Sequence, residues 1–529
     1  MNWPKYPLIY EINTAVWLNE LSHKHHRSIT LGSIPAPEWD ALAALGVDAV
    51  WLMGVWERSP AGRAVAMKNE LLQEDFRRAL PDFRPEDVAG SPYCVRSYTV
   101  DEQFGGTKGL AAARKNLATR KILLILDLVP NHVAPDHPWA SQHPEYFIRG
   151  DANDLRQDPA AFFEAGNYIY ARGRDPYFPA WPDVLQLNAF DGGLRNAAIE
   201  TLTDIAEQSD GVRCDMAMLL LNEVFAKTWG SRAGQRPASE YWSAVIPAIK
   251  KKFPNFIFIA EAYWDLEWQL QQLGFNYCYD KRLYDRLEHE GPESVRSHLL
   301  ADPTYQDGLV RFIENHDEPR AAAAFPLRKE EAAATMITTL PGARLIHEGQ
   351  IEGRKVRLPV FLSRRPNEPV EPGLRDFYLR LLKMVNRDAF RNGRWLLCER
   401  SGWPDNASFQ NLVAWCWTGD KERYLIVVNL SGTPSQGLIK VPWEDLRGRT
   451  CWLADALSVE TYDRNGSDML SPGLFVDLKG WAAHCFQVQV TKPRHSEGKD
   501  ASTPQRSQAR PIEEDTDVLE LEHAGRMRR

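Results

Sequence analysis

The sequence predicts an α/β fold: a (β/α)8 TIM barrel with a B-domain insertion after strand 3 and a C-terminal all-β sandwich domain. Three observations predict it. Eight short apolar runs alternate with helical stretches. One connection between them is too long for a plain crossover. Past about residue 390 the helices stop and short β-rich segments follow one another.

The apolar runs fall at 7–12 (PLIYEI), 47–52 (VDAVWL), 122–129 (ILLILDLV), 212–216, 256–260 (FIFIA), 276–279, 309–313 and 343–346. Continuous apolar strands in alternation with helices argue for a parallel sheet covered on both faces, and eight such units argue for a closed barrel. The long connection runs from 131 to about 190 and is rich in Pro, Asp, Tyr and Phe. A loop of that length in a compact domain is functional or a subdomain. It leaves the third strand at its C-terminal end, the active face of such a barrel. After a helix near 374–390, segments at 411–417, 424–430, 437–441, 451–453 and 484–490 read as a sandwich. The domain expectation is therefore a barrel from 1–130 and 191–395, an insertion at 131–190 and a sandwich at 396–491. A polar tail at 492–529 is too poor in large apolar residues to order itself, although 518–523 could form one helical turn. The mixed-charge segment 57–85 reads as an extended loop over the active face.

Composition narrows the function. The chain has 529 residues and a formal net charge of -8. A mildly acidic balance gives no electrostatic footprint for nucleic acid. No apolar run approaches the ~20 residues that span a bilayer, and the start shows no secretory pattern. Seven cysteines are scattered without a Cys-x-x-Cys pair, which reads as reduced thiols in the cytoplasm. The 18 tryptophans are mostly core, Trp51 among them, but flat indoles also suit sugar faces. His23, His25 and His26 read as an exposed loop more than a metal site.

Four acidic residues stand at or just past strand ends: Asp127, Asp215, Glu261 and Asp317. The carboxylates after strands four, five and seven would converge at the barrel mouth. Cleavage of a glycoside requires such convergence. A retaining mechanism pairs an ionised nucleophile with a protonated acid ~5 Å away. Nearby carboxylates raise the acid's pKa. Arg213, two residues before Asp215, points to the same face of a strand and is placed to hold Asp215 as the anion. His132 and His316 supply N–H donors for hydroxyls. Each motif alone is weak, since a strand-end aspartate is often a helix cap.

Together these motifs resemble the α-amylase superfamily (glycoside hydrolase family 13) over everything but the tail. Asp127, Asn131 and His132 match its Asp-x-x-x-Asn-His motif. Gly211, Arg213 and Asp215 match Gly-x-Arg-x-Asp. Glu261 follows an apolar strand, and Asn315, His316 and Asp317 match Asn-His-Asp. The resemblance implies Asp215 as nucleophile, Glu261 as general acid/base and Asp317 as the group that grips sugar hydroxyls and distorts the ring. It also implies a sugar-stacking tyrosine, Tyr93, and a B domain that ends near 181–188 (WPDVLQLN). Substrate contacts then fall to Tyr93, Asp127, His132, Arg213 and His316.

The chain departs from the family on the acceptor side. Many members carry Lys-His after the nucleophile motif, where this sequence has Met218 and Leu219. Asn131 could ligate calcium, an oxygen-seeking cation, with Asp151, Asp154 or Asp158 as partners or as plain turn formers. The expectation is that no cofactor is required and that calcium remains possible. The functional expectation is a retaining α-glycosidase acting on α-1,4-glucans or maltooligosaccharides. Transglycosylation on the same site is the alternative. A non-catalytic carbohydrate-binding protein is a remote one, because all three carboxylates are present.

Overall fold

The computed structural model describes residues 2–325 and 328–490. The expected tail lies outside the described residues. Eight strands form the barrel: β1 Leu8–Asn13, β2 Ala49–Met53, β3 Leu123–Leu128, β4 Gly211–Cys214, β5 Ile257–Ala260, β6 Tyr277–Tyr279, β7 Leu309–Arg311 and β8 Ala343–His347. Each pairs in parallel with its sequence neighbour, and β8 returns to β1, closing the sheet. Their residues are buried on both faces, which is why they read as unbroken apolar runs. Because all eight run the same way, every residue just past a strand end arrives at one mouth.

The insertion after β3 starts with the pair His132–Val133 and Leu185–Gln186, antiparallel to each other. Between them lies a small three-stranded sheet of Arg149–Gly150, Tyr168–Ala171 and Phe162–Ala165. Val133, Phe147, Tyr170, Leu185 and Leu187 form its own apolar core.

Residues 57–85 are not an extended loop. Ser59 caps helix α1 (Pro60–Lys68), its hydroxyl accepting from the Gly62 N–H at 2.8 Å. Pro60 sits in the first turn, where a missing N–H costs nothing. Asn69 caps helix α2 (Glu70–Ala79). Phe76, Ala79, Leu80 and Val88 then pack on Leu362 from the connection after β8. The cap residues were legible; the mixed charges, which lie on the outer faces, hid them.

Beyond helix α3 (Pro372–Val385) the chain forms two antiparallel sheets. The six-stranded sheet contains Leu412–Thr418, Arg423–Asn429 and Ala483–Val490, and the three-stranded sheet is built on Ser435–Lys440. Apolar residues from both sheets, such as Cys416, Leu425, Phe486, Ile439 and Val476, share one core. The other face of the larger sheet joins the barrel core through Trp415, Trp417 and Ile426. No described helix is long and apolar enough to cross a membrane.

Candidate active site

Hydrogen-bond ladders carry the key acids one rung past their strands. The Asp215 N–H donates to Leu128 O at 2.8 Å, and the Glu261 N–H donates to Cys214 O at 3.1 Å. On the β3–β4 ladder Arg213 stands opposite Asp127. Asp127, Arg213, Asp215 and Glu261 are all buried. Asp317 leaves β7 through a turn in which Asn315 Oδ1 accepts from the N–H groups of Asp317 and Glu318, both at 2.9 Å.

Arg213 is the hub. Its Nη1 donates to Asp215 Oδ1 at 2.8 Å. Its Nη2 lies 2.8 Å from Glu261 Oε2, an ion pair whose angle falls outside hydrogen-bond geometry. Asp127 Oδ1 is 3.8 Å from Nη1. One planar guanidinium thus gathers two carboxylates on adjacent nitrogens. The cation rests over the rings of Trp51 and Tyr93, each at 5.3 Å, which compensates part of its lost hydration.

The two acids differ in their partners. Glu261 also receives the Met216 N–H at 2.7 Å and the Tyr263 O–H at 2.8 Å. Burial still pushes its carboxyl up to about 7, against the pull of Arg213 and with the help of Asp215 and Asp317. Burial also raises Asp215, with Arg213 opposing. Arg213 divides its charge between the Asp215 and Glu261 carboxylates. Burial raises Asp127 to about 6, with Arg213 and His316 opposing. Its Oδ2 accepts from the Gly54 N–H at 3.1 Å. Gly54 has φ +74°, and a Cβ there would meet Pro92 at 2.5 Å, so a side chain at 54 would displace the loop that carries Tyr93.

His316 is the second hub. Nδ1 lies 2.5 Å from Glu11 Oε1. Nε2 is 2.6 Å from the Tyr93 hydroxyl and 3.0 Å from Asp317 Oδ2. Burial disfavours the imidazolium, but Asp317 and Glu11 outweigh it and lift the pKa well above the ordinary value. Burial raises the Asp317 carboxyl, but the His316 cation outweighs it and holds the group at about 2. Tyr93 stacks on His316, ring centres 5.2 Å apart. His132 packs against Trp181 at 5.1 Å, and burial lowers it to about 4, so it stays neutral. The mouth therefore presents one acid protonated near neutrality, an anion fixed beside an imidazolium, and aromatic walls.

The residues considered for calcium do not fit such a site. The Gln186 side-chain amide donates to Asn131 Oδ1 and to Asn131 O, both at 2.9 Å. Asp151 and Asp154 form a capping box on the helix Ala152–Gln157, and Asp154 pairs with Arg232 at 2.6 Å. Asp158 holds the turn to Ala161. Hard-cation binding needs several oxygens turned inward. Among the described residues no three His, Cys, Asp or Glu side chains are arranged to hold a metal ion. His25 pairs with Glu38 at 2.8 Å instead, and His23 lies in the last turn of its helix.

Sequence reasoning missed Glu11, Tyr263, Gln186 and the Met216 main chain. A lone glutamate in LIYEIN and a tyrosine two residues past Glu261 were available signals. Met216, at φ 44°, acts through its N–H and leaves no side-chain trace.

Residues 38–182 match the family model described as "Alpha amylase, catalytic domain". The chain is 24% identical over 373 residues to the α-amylase MalA of Haloarcula japonica, covering 67% of this chain and 45% of that protein. It is 26% identical over 285 residues to an α-1,4-glucan:maltose-1-phosphate maltosyltransferase of Rhodospirillum rubrum, covering 52% and 35%. The chain thus spans about half the length, or less, of these curated relatives. Its fold matches a maltogenic α-amylase from Thermotoga neapolitana with TM-score 0.66 and 20% identity, over 93% of this chain and 100% of that one. With the barrel, its insertion and the four strand-end motifs in place, the chain is similar to α-amylases in sequence over residues 38–182 and shares their fold over most of its length.

Proposed function

We propose that the protein is a retaining α-glycosidase acting on α-1,4-glucans or maltooligosaccharides. The observation that carries the reading is the pairing of Asp215 and Glu261 on one guanidinium, with Glu261 raised to about 7. Glu261 gives its proton to the glycosidic oxygen as Asp215 attacks the anomeric carbon. The C–O bond breaks, the leaving chain departs neutral, and an ester joins the sugar to Asp215. Glu261, now a carboxylate, takes a proton from water, which attacks the same carbon and releases Asp215. Two inversions keep the α configuration. Asp317, His316, Asp127 and His132 hold hydroxyls of the reacting ring, and Tyr93 lies against its apolar face.

Sugar transfer is a second reading, favoured by the lining beside Glu261. Tyr177 meets Trp264 edge-on at 4.9 Å, and the exposed ring of Phe178 stands beside them. Such plates can seat an acceptor sugar in place of water. One of the relatives is named as a maltosyltransferase. The cytoplasm is the proposed location, since all seven cysteines are buried free thiols of the kind a reducing compartment maintains.

Kinetics of Asp215→Asn and Glu261→Gln test the reading. Each should lower kcat on maltoheptaose by ~10² to 10⁴ or more without unfolding the protein. Wild-type turnover in either variant would refute the assignment.

A further inference from the structure

The proposed reaction gives Glu11 no task, yet its carboxyl is costly to keep where it is. Glu11 stands in β1 between Trp51 of β2 and His347 of β8, and it is fully buried. Its Oε2 meets no hydrogen-bond donor among the described residues. Its Oε1 faces Nδ1 of His316 at 2.5 Å. A carboxylate buried with so little company loses more hydration than a neutral partner returns. It persists as the anion only where its partner carries the opposite charge.

The other ring nitrogen of His316 faces acceptors as well. Nε2 has the Tyr93 hydroxyl at 2.6 Å and Asp317 Oδ2 at 3.0 Å. An ionised carboxylate can only accept. With one carboxylate on each ring nitrogen, a neutral imidazole would turn a lone pair towards one of them, whereas the imidazolium donates to both. Glu11, His316 and Asp317 then alternate as anion, cation and anion. The Tyr93 ring stacks on the imidazole with centres 5.2 Å apart and planes at 21°, a face that favours a cation. The surrounding charges leave that order intact. Asp127 on β3 attracts the cation. His347 on β8, pushed down to about 3 by burial, is neutral. Arg320 pairs with Glu314 at 2.5 Å and Arg365 with Glu348 at 2.8 Å. Arg357 donates to Asp317 O at 2.8 Å. Arg213, which shares Trp51 with His316, is engaged with Asp215 and Glu261.

We propose that Glu11 is a positioning residue of the glycosidase: by holding His316 as the imidazolium, it keeps the Asp317 carboxylate and the Tyr93 hydroxyl aligned against the reacting sugar. The inference rests on the glycosidase reading. In that reading Asp317 and Tyr93 touch the sugar, and Glu11 acts through His316 without touching it. Without the Glu11 charge the ring keeps one carboxylate in place of two and gives up its second proton more readily. A bare nitrogen would then face either Asp317 or residue 11, and the chain of donors to the sugar-binding groups would break.

The test uses Glu11→Gln in the full chain, a variant that keeps an acceptor for Nδ1 and removes the charge. The first readout is nitrogen NMR of protein with isotope-labelled histidine, the His316 signals being those lost in His316→Gln. In the wild type both His316 nitrogens should be protonated at about pH 8, where an ordinary histidine is neutral. In Glu11→Gln the midpoint of their titration should fall by ~1–3 units. The second readout is kcat/KM on maltoheptaose, taken relative to wild type at each pH. It should drop ~10-fold or more above the variant's His316 midpoint and recover below it, while Glu11→Asp, which keeps the charge, loses less. A neutral His316 in the wild type, or a titration that Glu11→Gln leaves unmoved, would overturn the proposal. A loss of kcat/KM equal at every pH would also overturn it, because a merely structural role has no link to the His316 proton. Absence of wild-type turnover would instead refute the glycosidase reading, and the positioning role would fall with it.

Discussion

Glu261 carries the most readable electrostatics in the site. Its carboxyl must be protonated to act as an acid, and burial raises it to about 7. The rate should therefore fall as pH rises through about 7. The Tyr263 O–H donates to the ionised form and so favours it. Tyr263→Phe should move the alkaline limb of kcat/KM upward by ~1 unit; an unmoved limb would mean that the hydroxyl does not tune the acid. Stability has a linked sign. A group whose folded pKa is raised stabilises the fold fully below its ordinary value, near 4.5. That contribution is lost as pH rises through the folded value. Glu261→Gln removes the cost of ionising a buried carboxyl, so its Tm relative to wild type should improve between about pH 5 and about pH 8, as paired thermal melts would show. The residues that bring this chemistry together were partly legible. Asp127, Asp215, Glu261 and Asp317 stand out because charge ends an apolar strand. Glu11 pairs with His316 across 305 positions, and no local pattern announces such a partner.

The eight barrel strands were readable because each is buried on both faces and so unbroken in sequence. The strands missed in the sandwich were Arg394–Leu397, Glu399–Ser401, Thr461–Asn465 and Leu474–Leu478. Thr461–Asn465 is the edge strand of its sheet and mostly exposed, so its polar residues carry no burial signal. The α1–α2 hairpin was missed because its apolar side meets Leu362, far along the chain. Removing the Arg364 fork to Asp87 and Asp82 should loosen that seam: Arg364→Ala is expected to lower the denaturation midpoint. In the insertion, Gln186→Ala would leave the buried Asn131 Oδ1 without its donor. The expected loss is ~1–3 kcal/mol, read as a lower denaturation midpoint. Because the Asn131 oxygen is already bonded to Gln186, dialysis against a chelator should leave the wild-type melt in place. A large drop restored by added calcium would contradict the assignment of Asn131 to that amide pair.

The molecule joins its barrel to its sandwich through a few large aromatic contacts. The indole N–H groups of Trp415 and Trp417 both donate to Thr339 O, at 3.0 and 2.6 Å. Trp417 also meets Tyr6 edge-on at 5.4 Å, beside the start of β1. Trp417→Ala should cost ~3–5 kcal/mol and lower Tm, while kcat well below the transition stays near wild type because the mouth lies at the other end of the strands. In the proposed mechanism Asp215 forms a covalent bond to the sugar. It is tested most directly with a fluorinated α-glucosyl fluoride, which slows release of the glycosyl-enzyme, followed by proteolysis and mass spectrometry. One added sugar is expected on the peptide that contains Asp215. A label on another residue, or full inactivation with no label, would contradict it.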